Sequence, residues 1–156
     1  MVTRREWLRV ALGGAAATMA SGMLTIPAFA AAPVPITVYK TPSCGCCKKW
    51  VDHVRAAGFV AVVHDVDDMD AVKKREGVPK ALQSCHTAIA NGYVIEGHVP
   101  AADVLRLLRE RPKGVRGVAV PGMPGGSPGM EMGGPADKYD VVAFARDGGT
   151  RVFAKH

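Results

Sequence analysis

Apolar positions after residue 30 follow two spacings, one typical of strands and the other of amphipathic helices. Short β-branched or aromatic runs, which predict strands, lie at 36–39, 60–66, 87–90 and 93–96. Apolar residues at helical spacing, followed by glycine or proline, predict helices at 48–57, 69–76 and 101–111. The predicted order is β-α-β-α-β-β-α, which is an α+β fold built from packed layers.

The last part of the chain breaks this pattern. Residues 117–135 form an arm rich in glycine, proline and methionine, with the highest density at 121–135. Beyond the arm, an apolar strand and a glycine-rich turn predict a terminal hairpin over 138–154. We therefore expect a single domain over residues 31–156, with its core at 36–111.

Residues 1–30 have the pattern of an export signal. An arginine pair at 4–5 precedes a diluted apolar stretch at 10–26, and 28–30 has the small-x-small pattern of a cleavage site. The segment resembles a twin-arginine signal peptide, which implies export to the periplasm after folding. Its glycines make it a poor membrane span, so we expect no permanent anchor; an uncleaved N-terminal anchor is the alternative.

The composition is that of a soluble domain with a basic excess. The formal net charge is +6 at pH 7. Acidic residues interrupt or follow the basic runs at 73–75 and 106–116, and no aromatic residues are interleaved with them. We therefore interpret these lysines and arginines as a solvated surface and expect no nucleic-acid partner.

Three of the four cysteines lie within residues 44–47, between the first predicted strand and the first predicted helix. Unpaired backbone N–H groups and the helix dipole at a helix start stabilise a thiolate, and Lys48 and Lys49 add positive charge nearby. Reactive and metal-ligating cysteines occur in such surroundings. Two other interpretations stay open, namely small buried apolar residues and inert structural disulfides.

The order of elements and the cysteine turn resemble the thioredoxin superfamily, glutaredoxins most closely, over the predicted core. The resemblance implies that Cys44 and Cys47 are a redox pair, with Cys46 as an addition. It also implies that Cys85 and His86 lie against this turn, with His86 where the superfamily has a cis-proline that helps to keep metals off the thiols. All four cysteines would then share one site, and ordinary glutaredoxin activity is put in doubt.

A closer resemblance extends over 36–145. Its motifs are Tyr-Lys-x-Pro-x-Cys-x-Cys-Cys-Lys-Lys-Trp from Tyr39, Ser-Cys-His-Thr from Ser84, Gly-Tyr-Val-x-Glu-Gly-His-Val-Pro-Ala from Gly92, and Pro-Gly-Met-Pro-x-Gly-Ser-Pro-Gly-Met-Glu-Met from Pro121. Together they resemble the CopG-like copper-resistance proteins, a family long described as a metal-binding domain of unknown function. This resemblance implies a periplasmic, thioredoxin-like protein that binds copper through its cysteines in copper and silver tolerance, with redox activity as an additional option.

The ligand types favour Cu(I). Thiolates and thioethers select Cu(I), zinc or iron–sulfur clusters, and four thiolates alone would suit tetrahedral zinc. The Cys-x-Cys-Cys spacing differs from the paired spacing of a structural zinc site. We therefore predict a multi-copper thiolate cluster held by Cys44, Cys46, Cys47 and Cys85, with silver or zinc as alternative metals.

Secondary ligand candidates are Met123, Met130 and Met132 in the arm, together with His86 and His98. Methionines in a flexible polar loop bury little surface, so ligation of Cu(I) explains them better than packing does. The alternative for the arm is a linker to the last strand. For His98, a structural hydrogen bond is an equally good interpretation.

Two function classes stay open, and with them the question whether the protein is an enzyme. The first is a periplasmic protein that sequesters or transfers Cu(I), with other periplasmic copper-export or resistance proteins as partners. The second is a thiol–disulfide oxidoreductase in which Cys44 attacks a substrate disulfide and Cys47 resolves the mixed disulfide. A loose match of 39–44 to arsenate reductases is the weakest alternative.

Overall fold

The computed structural model describes residues 32–156, and the predicted signal peptide and cleavage site lie outside the described residues. The elements in chain order are β1 (Val34–Lys40), α1 (Gly45–Ala56), β2 (Phe59–Asp65), α2 (Met69–Glu76), β3 (Thr87–Ala90), β4 (Tyr93–Glu96), α3 (Ala101–Glu110), β5 (Gly117–Ala119), β6 (Asp140–Phe144) and β7 (Thr150–Lys155). A short 3-10 turn at Lys80–Leu82 precedes β3. The α+β class is confirmed. Within residues 32–156, no helix has the length and hydropathy needed to cross a bilayer.

The seven strands of the described chain form one mixed sheet in the order β2-β1-β3-β4-β5-β6-β7. The pairs β1–β2 and β4–β5 are parallel, and the other neighbours are antiparallel. Residues 117–119, the first residues of the predicted arm, form strand β5 instead. This strand was not predicted because its pairing with β4 is a long-range contact, which leaves little local pattern in the sequence. The name Met-rich arm is therefore kept below for residues 121–135.

Local residues explain where two elements end. The Asp68 side chain accepts a hydrogen bond from a backbone N–H in the first turn of α2, and the helix ends at Gly77 in the left-handed conformation (φ 73°). Asn91 and Gly92, at φ 46° and 82°, form the tight turn between β3 and β4. This turn sets the register of the hairpin whose first strand follows the loop of Cys85.

The larger of two apolar clusters in the described chain is formed by the sheet together with α1 and α3, and the smaller one comprises Val78, Leu82, Val94, Ala119 and Phe144. Trp50 of α1 and Leu107 of α3 are fully buried in the larger cluster, and burial of a large apolar side chain stabilises the fold by about 1.5–3 kcal/mol. The indole N–H of Trp50 also donates to the carbonyl of Val99 (2.9 Å), which ties α1 to the segment before α3. The core thus fixes the start of α1, where the cysteine turn lies.

The prediction of a solvated surface at 73–75 is wrong at one position. Lys74 and Arg75 are exposed, but Lys73 is only 4% exposed, and its ammonium lies 2.5 Å from a carboxylate oxygen of Glu96. Consecutive helical residues point about 100° apart. A run of three basic residues on a helix packed against a sheet therefore cannot be exposed at every position.

Candidate metal centre

The cysteine turn links β1 to α1. Helix α1 begins at Gly45, and Cys44 is its N-cap residue with extended backbone angles (φ −73°, ψ 99°). Cys47 is fully buried, whereas Cys44 and Cys46 are half-buried. Cys44 and Cys47 form a disulfide, with their Cα atoms 5.4 Å apart. Among the described residues, Cys46 and Cys85 are the free cysteines.

The sulfur atoms of the four cysteines form one cluster. Cys46 Sγ lies 3.3 Å from Cys44 Sγ and 3.9 Å from Cys85 Sγ. Cys47 Sγ lies 3.9 Å from the carbonyl oxygen of Cys85, and all four Sγ atoms are within 4.8 Å of one another. The loop before β3 therefore brings Cys85 onto the cysteine turn, across about forty residues of sequence.

His98 is oriented toward Cys85 by a contact with the Met-rich arm. Its Nδ1 donates a hydrogen bond to the carbonyl oxygen of Pro128 (2.7 Å), and its Nε2 lies 2.9 Å from Cys85 Sγ. Because a carbonyl oxygen can only accept, the proton is on Nδ1 and the Nε2 lone pair faces the sulfur. Metal-ligating histidines have this arrangement, in which a partner on one ring nitrogen fixes the tautomer and orientation of the other.

His86, the residue after Cys85, is completely buried. Its ring packs on Trp50 at a centroid distance of 4.4 Å and meets His98 edge-on at 5.0 Å. Its Nδ1 is 3.4 Å from Cys85 Sγ, and its Nε2 has no hydrogen-bond partner among the described residues. Cys85, His86 and His98 thus form a second group of donor atoms, which shares Cys85 with the cysteine cluster.

Burial sets the protonation of this second group. Removal from water, together with the neighbouring Cys46 thiol, raises the pKa of Cys85 to about 12. Burial lowers the pKa of His98, against the effect of its hydrogen bond to the arm. Burial, and after it the charges of His98 and Lys73, lowers the pKa of His86 well below its usual value. At neutral pH the group is therefore a protonated thiol with two neutral imidazoles, and a metal must displace the thiol proton in order to bind.

The middle of the Met-rich arm packs against the cysteine turn. Ser127, Pro128 and Gly129 are buried. Gly129 has φ 89°, and a Cβ at this position would lie 2.7 Å from the carbonyl oxygen of Cys46. Glycine is the residue that permits both this backbone conformation and this approach. The arm therefore does more than link two strands, because it forms one wall of the centre.

The methionines of the arm have different surroundings from its buried middle. Met123 and Met132 are 53% and 80% exposed, and Met130 is half-buried. The side chains of Met123 and Met132 are therefore accessible to an ion that approaches from solvent. The role of all three methionines as metal ligands stays a prediction.

Comparison with known proteins identifies the family. A family model described as a protein of unknown function, DUF411, matches residues 82–130. Two solved structures, forms 2 and 1 of the copper resistance protein CopG, are 48% and 49% identical to the chain, with TM-scores of 0.76 and 0.75, and each match covers 80% of this chain and 98% of the other. The chain belongs to the CopG-like copper-resistance family. A search of curated proteins finds no match.

The CopG-like motifs in the sequence indicate all four cysteines and both histidines of the centre. Pro128 and Glu96 also lie within these motifs, but the contacts that they make were not predicted. Pro128 acts through its backbone carbonyl, which any residue would supply. The burial of Glu96 with Lys73 has a weak sequence signal, since Glu96 is a carboxylate at the end of an otherwise apolar strand. A charge in such a strand indicates a buried partner.

Proposed function

We propose that this CopG-like protein binds Cu(I) in the periplasm through the thiolates of Cys44, Cys46, Cys47 and Cys85 and serves copper or silver tolerance. The observation that carries the proposal is the approach of four sulfur atoms to within 4.8 Å of one another. Thiolates are soft ligands that suit Cu(I). Two similar structures are of a copper resistance protein, which supports this choice of metal.

Charge supports a cluster with more than one ion. Around a single tetrahedral ion with metal–sulfur bonds of about 2.3 Å, sulfur atoms would lie about 3.8 Å apart. The separations that involve Cys46, 3.3 and 3.9 Å, are close to this value, so spacing alone fits one ion as well as several. Four thiolates carry four negative charges, which several Cu(I) ions neutralise more fully than one divalent ion. Charge, together with the preference of thiolates for Cu(I), therefore favours a multi-copper thiolate cluster over a zinc site.

Nitrogen and thioether donors would complete the proposed site. The Nε2 lone pair of His98 points at Cys85, and a neutral imidazole is the form that binds metal ions. The exposed thioethers of Met123 and Met132 suit the capture of Cu(I) from solution, because a thioether needs no deprotonation. We therefore assign the cysteines to storage and the arm to capture and shielding.

A second candidate function, thiol–disulfide exchange, is favoured by the disulfide between Cys44 and Cys47. The half-buried Cys44 and the fully buried Cys47 suit an attacking and a resolving thiol. The Cys44 thiolate would attack a substrate disulfide, giving a mixed disulfide and a first substrate thiolate that takes up a proton. The Cys47 thiolate would then attack Cys44 Sγ, forming the internal disulfide and releasing the second substrate thiolate. The substrate disulfide is reduced and the protein dithiol is oxidised.

Anaerobic titration distinguishes the two candidates. Protein that starts at residue 31 is fully reduced, which opens the Cys44–Cys47 disulfide, and is titrated with Cu(I) against a chromophoric chelator. Reduction of insulin disulfides is assayed on the same sample, and Zn²⁺ is tested as a competitor. We expect several equivalents of Cu(I) to bind and Zn²⁺ not to displace them. Disulfide reduction without retention of copper would instead support the oxidoreductase.

The periplasmic location is tested separately. Replacing Arg4 and Arg5 by lysine should keep the protein in the cytoplasm of a strain in which export depends on the twin-arginine route. Cell fractionation and N-terminal sequencing measure the location and the cleavage site. Export that survives the replacement would contradict the proposed route.

A further inference from the structure

A buried carboxylate and a buried ammonium contact the loop that carries Cys85. Glu96, the last residue of β4, is completely buried, and Lys73 of α2 is 4% exposed. Lys73 Nζ lies 2.5 Å from Glu96 Oε1 and also donates a hydrogen bond to Thr87 Oγ1 (3.2 Å). Neither charged residue belongs to the donor groups described above, so the metal centre leaves both unexplained.

The two oxygens of Glu96 hold the dipeptide of Cys85 and His86 from both sides. The backbone N–H of Ser84 donates to Oε1 (2.7 Å), and the hydroxyl of Thr87 donates to Oε2 (2.6 Å). Ser84 directly precedes Cys85, and Thr87 directly follows His86. One carboxylate therefore fixes both ends of the segment that supplies two donor atoms to the centre.

Stability is a poor explanation for this ion pair. Burial of two charges costs several kcal/mol per ion, and well-packed apolar side chains of similar size are often equally stable or more stable. Hydrogen bonds to a charged group are shorter and stronger than neutral ones, and they hold their partners in a defined geometry. The pair of Lys73 and Glu96 is therefore better explained by the position that it imposes on the loop.

The position of Cys85 is critical because its sulfur has close neighbours on three residues. Cys85 Sγ lies 2.9 Å from His98 Nε2, 3.4 Å from His86 Nδ1 and 3.9 Å from Cys46 Sγ. Metal–ligand distances vary by only about 0.2 Å around their preferred values. A shift of the loop by a fraction of an ångström would therefore change which of these donors can share an ion.

We propose that Glu96 is the positioning residue of Cys85, with Lys73 as its counter-ion and with Ser84 and Thr87 as the groups through which it acts. The role in metal binding rests on the function proposed above. In metal-free protein, the same carboxylate keeps Cys85 within reach of Cys46, so that the two thiols can form a disulfide. This second consequence involves no metal and can be measured independently.

The metal-free experiment measures the effective concentration of the Cys46 thiol relative to the Cys85 thiol, that is, how readily these two thiols form a disulfide with each other. Protein is equilibrated with oxidised and reduced glutathione, which exchange with all four cysteines, and peptide mass spectrometry after acid quenching gives the fraction bridged between Cys46 and Cys85 among molecules that retain the Cys44–Cys47 disulfide. The amide of Glu96→Gln cannot accept hydrogen bonds on both of its atoms. We expect this variant to lower the effective concentration by about 10–100-fold, because a hydrogen bond to a charged group is worth about 1.5–3 kcal/mol and each 1.4 kcal/mol is a factor of about ten.

Two further sets of variants separate positioning from general stability. Thr87→Val removes one connection to Glu96 and should behave like Glu96→Gln, whereas Thr87→Ser keeps the hydroxyl and should restore the wild-type value. Asp103→Asn is the matched control, because Asp103 is also a buried carboxylate (7% exposed), lies 2.7 Å from His156 Nε2, and has no hydrogen bond to residues 44–47 or 84–87. We expect the control to leave the effective concentration unchanged, even if thermal stability falls.

Copper loading provides the second readout. We expect Glu96→Gln to lower Cu(I) affinity by about 10–100-fold and to change the copper–thiolate absorption bands, while Asp103→Asn retains both. If Glu96→Gln fails to fold, the comparison of Thr87→Val with Thr87→Ser decides. Wild-type effective concentration in both Glu96→Gln and Thr87→Val would overturn the positioning role. Wild-type protein that binds no copper would overturn only the proposed function, because the disulfide measurement uses no metal.

Discussion

The cysteine turn at 44–47 and the loop at 84–87 both supply sulfur to one cluster, but they are held in different ways. The turn presents three sulfurs from the start of a single helix, and its position follows from the packing of Trp50 in the core. The loop presents one sulfur, and it is held by hydrogen bonds from Lys73 of α2 to Thr87, from Ser84 to Glu96 of β4 and to the Gly122 carbonyl of the Met-rich arm, and by the contact of Cys85 with His98. The three sulfurs of the turn are thus positioned by local structure, whereas the position of the Cys85 sulfur depends on the complete tertiary fold.

The two halves also differ in their electrostatic surroundings. The turn lies at a helix start, where backbone N–H groups favour a negative sulfur, and next to the exposed Lys48 and Lys49. Burial beside another thiol raises the pKa of Cys85 to about 12. We therefore expect a metal ion to meet the turn first and Cys85 to close the site afterwards.

The largest expected difference between the halves is in thiol reactivity. At pH 8, a thiol whose pKa is about 12 instead of the ordinary 9.0 holds about a thousandfold less thiolate. In reduced, metal-free protein, iodoacetamide should therefore alkylate Cys85 about a thousandfold more slowly than a peptide thiol. Time-resolved peptide mass spectrometry measures the rate.

The pH dependence separates protonation from steric shielding. Between pH 8 and 10 the alkylation rate of Cys85 should rise about tenfold per pH unit, because the thiolate fraction does so below the pKa. Shielding alone would give a slow rate with the pH profile of an ordinary thiol. Rapid alkylation at pH 7 would mean that His98 has taken the proton, and the contrast between the halves would then disappear.

Replacement of Cys85 tests whether the loop is an equal partner of the turn. Cys85→Ser should lower Cu(I) affinity by more than about 100-fold, beyond the range for partners that only orient a ligand, and about as much as Cys46→Ser. Chelator competition measures both variants, with Ser43→Ala at the exposed neighbouring position as control. If Cys85→Ser binds copper as the wild type does, the site belongs to the turn alone.

A smaller effect is expected where the arm contacts the turn. In Gly129→Ala the new methyl group would lie 2.7 Å from the carbonyl oxygen of Cys46, at φ 89°. The buried segment of the arm should shift and lose the hydrogen bond between Pro128 and His98. We expect a loss of about 1–3 kcal/mol in the free energy of unfolding and a fall of about tenfold in Cu(I) affinity.

Gly133→Ala is the matched control for this variant. Gly133 also has a positive φ, 77°, but a Cβ there would meet nothing within 4 Å. Gly133→Ala therefore introduces the same kind of backbone strain as Gly129→Ala, but without a clash between the new methyl group and a neighbouring atom. Equal losses of copper affinity in the two alanine variants would show that strain, and not contact between arm and turn, is responsible.

The smallest effect is expected for the arm methionines. Changing Met123, Met130 and Met132 to leucine keeps most of the side-chain volume and should cost less than about 1.5 kcal/mol of stability. Equilibrium binding at the cysteines should persist, while Cu(I) uptake becomes slower and the loaded site more sensitive to chelators. Stopped-flow transfer from a chelator and growth on copper measure these effects. No change in either would leave the methionines without a role in copper handling.

Elements that end at local signals are the ones that sequence predicts well. Helix α2 and the β3–β4 hairpin have their predicted bounds because Asp68 and Gly77 delimit the helix and Asn91 with Gly92 makes the turn. Strand β5 has no comparable signal. It is three residues long, and it exists because β4 and β6 lie on either side of it.

The same distinction between local sequence signals and long-range contacts applies to the candidate site. The spacing within 44–47 is visible in the sequence, and resemblance to a family was needed to bring Cys85 to it. The burial of Lys73 and the hydrogen bond from His98 to the carbonyl of Pro128 were not predictable. The burial of Lys73 depends on which side of α2 packs against the sheet. The hydrogen bond from His98 is accepted by a backbone carbonyl, which every residue has.

The anchoring of the Met-rich arm has a consequence for the order of folding. Strands β5 and β6, which flank the arm, pair with each other, with Ala119 opposite Val142. The arm is therefore a loop with both ends fixed, and closing such a loop becomes costlier by only about 0.6 kcal/mol for each doubling of its length. Its middle can pack on α1 as a closed loop only after the two strands have paired, and contacts of long sequence separation form slowly. The contact of Cys46 with Cys85 spans 39 residues, more than the 23 between Ala119 and Val142. We therefore expect newly synthesised chains to close the arm no later than they bring the four cysteines together, so that the cluster forms beside a wall that is already in place.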